Sequence, residues 1–196
     1  MSESTIRDYP VKRVINLVLA GVALLLVFIP ILLVALLVKF TSRGPVIYWS
    51  DRVGVNNRVF RMPKFRTMRK DTPLVATHLM SDPGKYLTSV GGFLRKTSLD
   101  ELPQLWSIFV GDMSIVGPRP ALFNQDDLIA LRSDAGVYKV TPGLTGWAQI
   151  NGRDELPISE KVELDVEYMN RQSLQFDLKI IFQTFARVIH RQGVSH

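Results

Sequence analysis

Twenty-two consecutive residues, Leu17 to Val38, carry no charge, and no other stretch limits the possible folds of this chain so strictly. As an α-helix they extend about 33 Å, enough to cross the hydrocarbon core of a bilayer. The run is too long for the apolar part of a cleaved signal peptide, and no small-residue cleavage site follows it. A straight single span is the default expectation. Two features oppose it. Pro30 lies well inside the run, where it removes a backbone hydrogen bond and kinks a helix. Basic residues flank both ends, Arg7, Lys12 and Arg13 before it and Lys39 and Arg43 after it. Positive charge favours the cytoplasmic side, so flanks of one sign suggest that both ends share a face. A helix broken at Pro30 into arms of roughly 16 and 10 residues could dip in and return, each arm being too short to span. Charge and proline leave re-entry and spanning both open. Either one anchors the chain to a membrane.

The remainder of the 196 residues suffices for one medium domain with its own core. There is no cysteine, which excludes disulfides, thiolate zinc sites and thiol nucleophiles. Three scattered histidines, His78, His190 and His196, lack metal-ligand spacing. The formal net charge of +6 is unevenly spread. Arg52, Arg58, Arg61, Lys64, Arg66, Arg69 and Lys70 fall in one window without an acid, so the rest of the chain sums to about −1. A face of this kind implies phosphate, whether of membrane, nucleotide or nucleic acid. No helix-turn-helix, finger or RNP-type motif accompanies the charge, so no nucleic acid is expected as partner.

After Gly44-Pro45, short strands are expected at 46–49 and 53–55, with Asn56-Asn57 turning into a further strand at 59–62. Lys64 to Arg69 then alternates basic and apolar, one side for the interior and the other for phosphate or lipid headgroups. Residues 70 to 90 read as a loop.

Chemistry concentrates in Arg95-Lys96-Thr97-Ser98-Leu99-Asp100-Glu101-Leu102-Pro103-Gln104-Leu105. Pro103 fits only the first turn of a helix, which makes Asp100 the expected N-cap. The apolar run Leu102, Leu105, Trp106, Ile108 and Phe109 continues at helical spacing to Gly111. A helix N-terminus would keep Asp100 and Glu101 ionised, and such carboxylates serve as caps, nucleophiles or hard ligands for Mg²⁺. In Pro118-Arg119-Pro120 two fixed φ angles hold one guanidinium, suited to bidentate phosphate or simply solvated in a turn. A short acidic helix is expected over 122–131. In Thr141 to Arg153, Gly143, Gly146 and Gly152 permit close approach to a ligand, and Thr145, Gln149, Asn151 and Arg153 offer polar contacts. Trp147 could stack on a base, though it reads more readily as core. A last stripe of Leu178, Ile181, Phe182, Phe185, Val188 and Ile189 could pack on that core or lie in a membrane interface.

Together, Lys64-Phe65-Arg66-Thr67-Met68, Arg95 through Leu105, Gly117-Pro118-Arg119-Pro120 and Pro142 through Arg153, in that order behind a broken apolar helix, resemble one family. It is the bacterial sugar transferase family, in its small monotopic polyprenyl-phosphate phosphoglycosyl transferases. The resemblance covers nearly the whole chain and is to the minimal members, without an extra multi-span region. It implies an α+β, mostly helical fold with an N-terminal re-entrant membrane helix broken at a proline, a small β-ribbon and amphipathic interfacial helices. Residues 1–40 would be the re-entrant anchor and 41–196 a catalytic domain on the cytoplasmic face of the bacterial inner membrane. The implied reaction moves a sugar-1-phosphate from a UDP-sugar to polyprenyl (undecaprenyl) phosphate and releases UMP, as the first membrane step of glycoconjugate synthesis. Asp100 would be the nucleophile, forming an aspartyl phosphosugar, and Asp100 with Glu101 would hold Mg²⁺. Arg95, Arg119 and Lys64 would bind phosphate, with Thr145, Gln149, Asn151 and Arg153 as further phosphate or nucleotide contacts. Many relatives carry serine before the breaking proline. Here Ile29 precedes Pro30, so no hydroxyl is available to satisfy the freed backbone. Membrane lipids are implied partners, and self-association is left open. The rival reading is a non-catalytic module that binds anionic lipid through residues 52–70.

Overall fold

The computed structural model describes residues 8–73, 82–152 and 156–189, so Arg153 and the three histidines lie outside the described residues. The apolar run forms α1 (Lys12–Leu26) and α2 (Phe28–Thr41), bent by 61° across Val27. Pro30 sits in the first turn of α2, and the N–H it lacks is the one that would have bonded the carbonyl of Leu26, the last residue of α1. The break therefore falls upstream of the proline rather than at it. The arms are 15 and 14 residues, more equal than the sequence suggests, because α2 continues past Val38 to Thr41. Among the described residues no single helix is long and apolar enough to cross a membrane, although the bent pair together has the length and composition.

Next comes an antiparallel ribbon of β1 (Ile47–Val53) and β2 (Val59–Phe65), with Ile47 opposite Phe65 and Val53 opposite Val59. One continuous strand replaces the two pieces expected at 46–49 and 53–55, since Ser50, Asp51 and Arg52 pair across the ribbon like their neighbours. Asn56 and Asn57 both take a φ of 56°, the left-handed backbone that asparagine tolerates. The alternation expected over Lys64 to Arg69 is not kept. Phe65, Arg66 and Thr67 are all buried. Phe65 enters the core beneath α2 with Val34, Val38 and Leu94, while Arg66 turns to Ser42 at the end of α2.

Then follow α3 (Gly91–Lys96), a 3-10 turn at Leu99–Glu101 and α4 (Gln104–Val110). A parallel pair, β3 (Ser114–Val116) with β4 (Gly143–Thr145), brackets α5 (Asp126–Asp134). The expected helix at 122–131 starts four residues later because Leu122 bridges to Arg52 and donates its N–H to Gln125 Oε1. α6 (Trp147–Asn151), α7 (Ile158–Arg171) and α8 (Leu174–Ile189) complete the α+β, mostly helical architecture. Its main core joins Val116, Val140, Ile150, Tyr168, Met169, Phe176 and Ile180, with Trp147 packed against it.

Both arms of the bent pair are built into this body. Ala20 of α1 packs with Leu105, Ile108, Met113 and Met62, and Val34 and Val38 of α2 pack with Phe65 and Leu94. Lys12 is buried, donates to the Tyr168 hydroxyl at 2.6 Å and faces Asp177 at 3.5 Å. Tyr9 and Tyr168 each donate to Asp177, at 2.9 and 2.8 Å. Arg13 donates to the Ile108 and Phe109 carbonyls, each at 2.7 Å, where α4 ends. Two of the basic flanks are thus committed to the protein rather than to lipid headgroups, and the charge-symmetry reasoning loses them. α8 divides its apolar residues. Phe176 and Ile180 are buried, whereas Leu178, Phe182 and Phe185 stand exposed, as do Trp106, Phe109 and Val110 of α4.

Candidate active site

Four segments, β2, α3, the Leu99–Glu101 turn and the loop after β3, bring Lys64, Arg95, Asp100, Glu101 and Arg119 together. Ser98, at a left-handed φ of 56°, turns the chain between α3 and the Leu99–Glu101 turn. Pro103 has no N–H to give the Leu99 carbonyl, which accepts from Leu102 in the tighter 3-10 pattern instead. Asp100 is therefore not the N-cap of a long helix, and α4 begins at Gln104. Gly111, at a φ of 107°, ends α4 as the sequence suggests.

The two carboxylates live in different surroundings. Lys64, at the end of β2, donates to Glu101 Oε1 at 2.9 Å, and Arg119 donates to the same oxygen at 2.5 Å. Burial alone would raise the Glu101 pKa, but Arg119 and Lys64 outweigh it and hold the carboxyl well below its usual range. Asp100 is buried, and burial pushes its pKa up, opposed by Lys64 and helped by the charge of Glu101. At Glu101 it is cations rather than a helix N-terminus that favour the ionised form, whereas at Asp100 burial works against the charge and Lys64, Arg95 and Arg119 work for it. Desolvation lowers the Lys64 and Arg95 pKa values, against the pull of the carboxylates. Arg95 is steered by its Nε–H bond to Thr67 Oγ1 at 3.0 Å.

Arg119 is braced through its backbone. Arg132 donates to the Arg119 carbonyl at 2.8 Å and pairs with buried Asp165 at 2.6 Å. Arg52 donates to the Pro120 carbonyl at 3.1 Å. These positioning residues escape a sequence reading. Arg132 and Asp165 lie 33 residues apart with no motif joining them. Thr67, inside the Lys64–Met68 block, had a weak signal only.

The Thr141–Arg153 motif does different work from that expected. A Cβ on Gly143 would lie 2.1 Å from the Gly117 nitrogen, and one on Gly146 would lie 2.1 Å from the Gly117 carbonyl oxygen. Those glycines let the chain approach itself, not a ligand, and so set β4 against the strand leading to Pro118-Arg119-Pro120. Thr145 shares a hydrogen bond with Thr184 at 2.8 Å, and Asn151 bonds the Trp147 carbonyl of its own helix. Gln149 has both amide atoms buried without a partner. Among the described residues no hydrogen bond or ion pair ties these three to the Asp100 group. Trp147 is half-buried against the main core, its ring 5.0 Å from that of Phe176 and tilted to it by 55°.

Among the described residues no three acidic, histidine or cysteine side chains cluster as a protein-only metal site. Mg²⁺ is commonly held by one or two carboxylates and completed by substrate phosphates and water. Asp100 and Glu101 suit that partial donor set, because both cations converge on Oε1 of Glu101 and leave Oε2 outside those bonds.

A carboxylate pair, Asp100 buried and Glu101 half-buried, ringed by two arginines and a lysine suits displacement at a phosphorus centre. The sequence model of the family described as "Bacterial sugar transferase" matches residues 7–191. The chain belongs to the bacterial sugar transferase family. This sugar transferase is 43% identical over 182 residues to the UDP-glucose:undecaprenyl-phosphate glucose-1-phosphate transferase of Escherichia coli K12, covering 88% of this chain and 39% of that protein. It is 42% identical over 194 residues to the undecaprenyl-phosphate glucose phosphotransferase of Komagataeibacter xylinus, covering 91% and 36%. It is 39% identical over 199 residues to the exopolysaccharide production protein ExoY of Rhizobium meliloti, covering 93% and 87%. The sugar transferase chain thus spans well under half the length of the first two relatives and most of the third.

Proposed function

We propose that this protein transfers a sugar-1-phosphate from a UDP-sugar to polyprenyl phosphate at a membrane surface, through a covalent aspartyl phosphosugar. One observation carries the reading: Asp100 and Glu101 are adjacent in sequence, yet both Lys64 and Arg119 pair with Glu101. Glu101 is thereby committed to electrostatics, and Asp100 is the carboxylate left to react. A carboxylate oxygen of Asp100 attacks the β-phosphorus, the bond from that phosphorus to the bridging oxygen breaks, and UMP departs with the electron pair. An oxygen of polyprenyl phosphate then attacks the same phosphorus and expels the Asp100 carboxylate, giving polyprenyl diphosphate sugar. No proton need move at carbon, which agrees with a site built from cations rather than a histidine base. Arg95 and Arg119 offer planar donors to the diphosphate oxygens, and Lys64 a point charge. Asp100 and Glu101 would hold Mg²⁺, which when bound neutralises diphosphate charge.

The same reading makes residues 1–40 a re-entrant anchor and 41–196 a catalytic domain on the cytoplasmic face of the bacterial inner membrane. It rests on α1 and α2 both packing against one body, through Ala20 and through Val38. A spanning pair would carry its two ends to opposite sides. The exposed Trp106, Phe109, Phe182 and Phe185 are consistent with α4 and α8 lying in the interface.

The decisive experiment is Asp100→Asn, with deamidation excluded by mass. Release of UMP from UDP-sugars in Mg²⁺ should fall at least about 10³-fold while membrane association persists. In wild type without lipid acceptor, a sugar phosphate should be trapped on the peptide containing Asp100. Full turnover by the amide, or no adduct, overturns the assignment.

A further inference from the structure

Arg66 is used by none of the chemistry above. Its side chain is buried, 6% exposed, and Nη2 donates to the Ser42 carbonyl at 3.1 Å and to Ser42 Oγ at 2.9 Å. Nε and Nη1 are buried and have no hydrogen-bond partner. Half of the bond to Ser42 is what any cation at a helix C-terminus does. The remaining donors are not explained by capping, and a buried donor left unmade costs about 1–3 kcal/mol, more when charged.

The surroundings make the imbalance larger. A Cβ built on Gly44 would lie 2.1 Å from Arg66 Nη1 and 2.5 Å from Lys70 Cε, so both cationic side chains crowd over this glycine. Gly44 has a φ of 119°, and the missing side chain leaves the space they occupy. Exposed Lys39 and Arg43 flank an open pocket formed by Lys39 to Gly44. No ion pair joins Lys39, Arg43, Arg66 or Lys70 to a carboxylate among the described residues, and neighbouring Asp71 is taken by Arg69 at 3.0 Å. Two cationic side chains over one glycine, with Lys39 and Arg43 on the adjoining segment and no carboxylate paired to any of them among the described residues, suit an anion from outside the chain.

The position of this cluster says which anion. It closes the end of α2, whose exposed Leu33, Leu36, Leu37 and Phe40 lead directly to it. Apolar side chains that give way to Lys39 and Arg43 mark the depth of lipid headgroups. We infer that Arg66, with Lys70, Lys39 and Arg43 around Ser42 and Gly44, forms a binding site for the phosphate group of a membrane lipid. The inference rests on the membrane-surface placement proposed above, but not on any chemistry at Asp100. The phosphate can be the monoester of a polyprenyl phosphate or the diester of a phospholipid, and the test separates them.

The test is binding, done on the full chain in detergent micelles without UDP-sugar or Mg²⁺. Farnesyl phosphate, phosphatidylglycerol and farnesol are titrated into wild type, Arg66→Gln and Lys70→Gln, with folding checked by circular dichroism. Wild type should bind a phosphate-bearing lipid at least about tenfold tighter than farnesol, less so at high salt. Each variant should lose about tenfold in that binding and nothing toward farnesol. Preference for farnesyl phosphate names the polyprenyl acceptor as the source, and equal binding of phosphatidylglycerol names the bulk lipid. If Arg66→Gln fails to fold, exposed Lys70 still carries the test. The inference is overturned if wild type does not discriminate farnesyl phosphate or phosphatidylglycerol from farnesol, or if folded variants bind like wild type. UMP release at Asp100 is scored separately, so either reading can fail alone.

Discussion

Asp165 shows how one residue can brace the candidate site from a distance. Its carboxyl is 1% exposed, and it answers the guanidinium of Arg132, which in turn holds the Arg119 carbonyl. Asp165→Ala leaves half-buried Arg132 without its counter-charge, and the expected cost is about 2–3 kcal/mol of stability, below that of a fully buried pair, read by urea unfolding in detergent. Tyr168 sets a different, pH-dependent term. Burial first, then the charge of Asp177, pushes its phenol far above the ordinary value near 10. Below that value both folded and unfolded chains keep the proton. Above it the unfolded chain releases a proton that the folded one retains, so stability must fall as pH rises. The slope reaches about 1.4 kcal/mol per pH unit for one fully protected group. Urea unfolding between about pH 9 and 11 should show this alkaline loss, and Tyr168→Phe should lessen it, the remainder belonging to Tyr9, whose phenol burial and Asp177 also push up.

At the scale of elements, the bend between α1 and α2 follows from one proline, but its direction follows from what the arms pack against. A proline in the first turn of α2 explains why the helix breaks after Leu26. It does not explain why both arms return to the same body; Asn16, bonded to Ser114 and Ile115, and Val38, fully buried, do. The chain has no cysteine, so single reporters are clean. Val11→Cys and Pro45→Cys, both at exposed positions, should both resist an impermeant maleimide in intact spheroplasts and both react in inverted vesicles. Opposite labelling of the two would mean a span. The β-ribbon was legible because alternation and an Asn-Asn turn are local signals. The start of α4 was not, since a left-handed Ser98 and a 3-10 turn leave no periodic trace.

For the whole molecule, α4 and α8 present Trp106, Phe109, Phe182 and Phe185 outward, rings that the proposed membrane interface would cover. A bimane label at Phe182→Cys should be quenched by brominated lipid in vesicles, while one at Asp127→Cys, exposed on α5, should not. Equal response at both sites would remove α8 from the interface.

The sequence by itself determined the uncharged apolar run and that it bends, the ribbon and the residues of the Asp-Glu and Pro-Arg-Pro motifs, because hydrophobicity, proline and turn chemistry act over a few neighbouring residues. Only the tertiary structure decided which carboxylate takes the cations, that Lys12 and Arg13 turn inward, and that Gly143 and Gly146 serve a chain crossing. Those outcomes depend on burial and on partners about a hundred residues away, such as Arg13 with Ile108 and Phe109, and no local pattern encodes them.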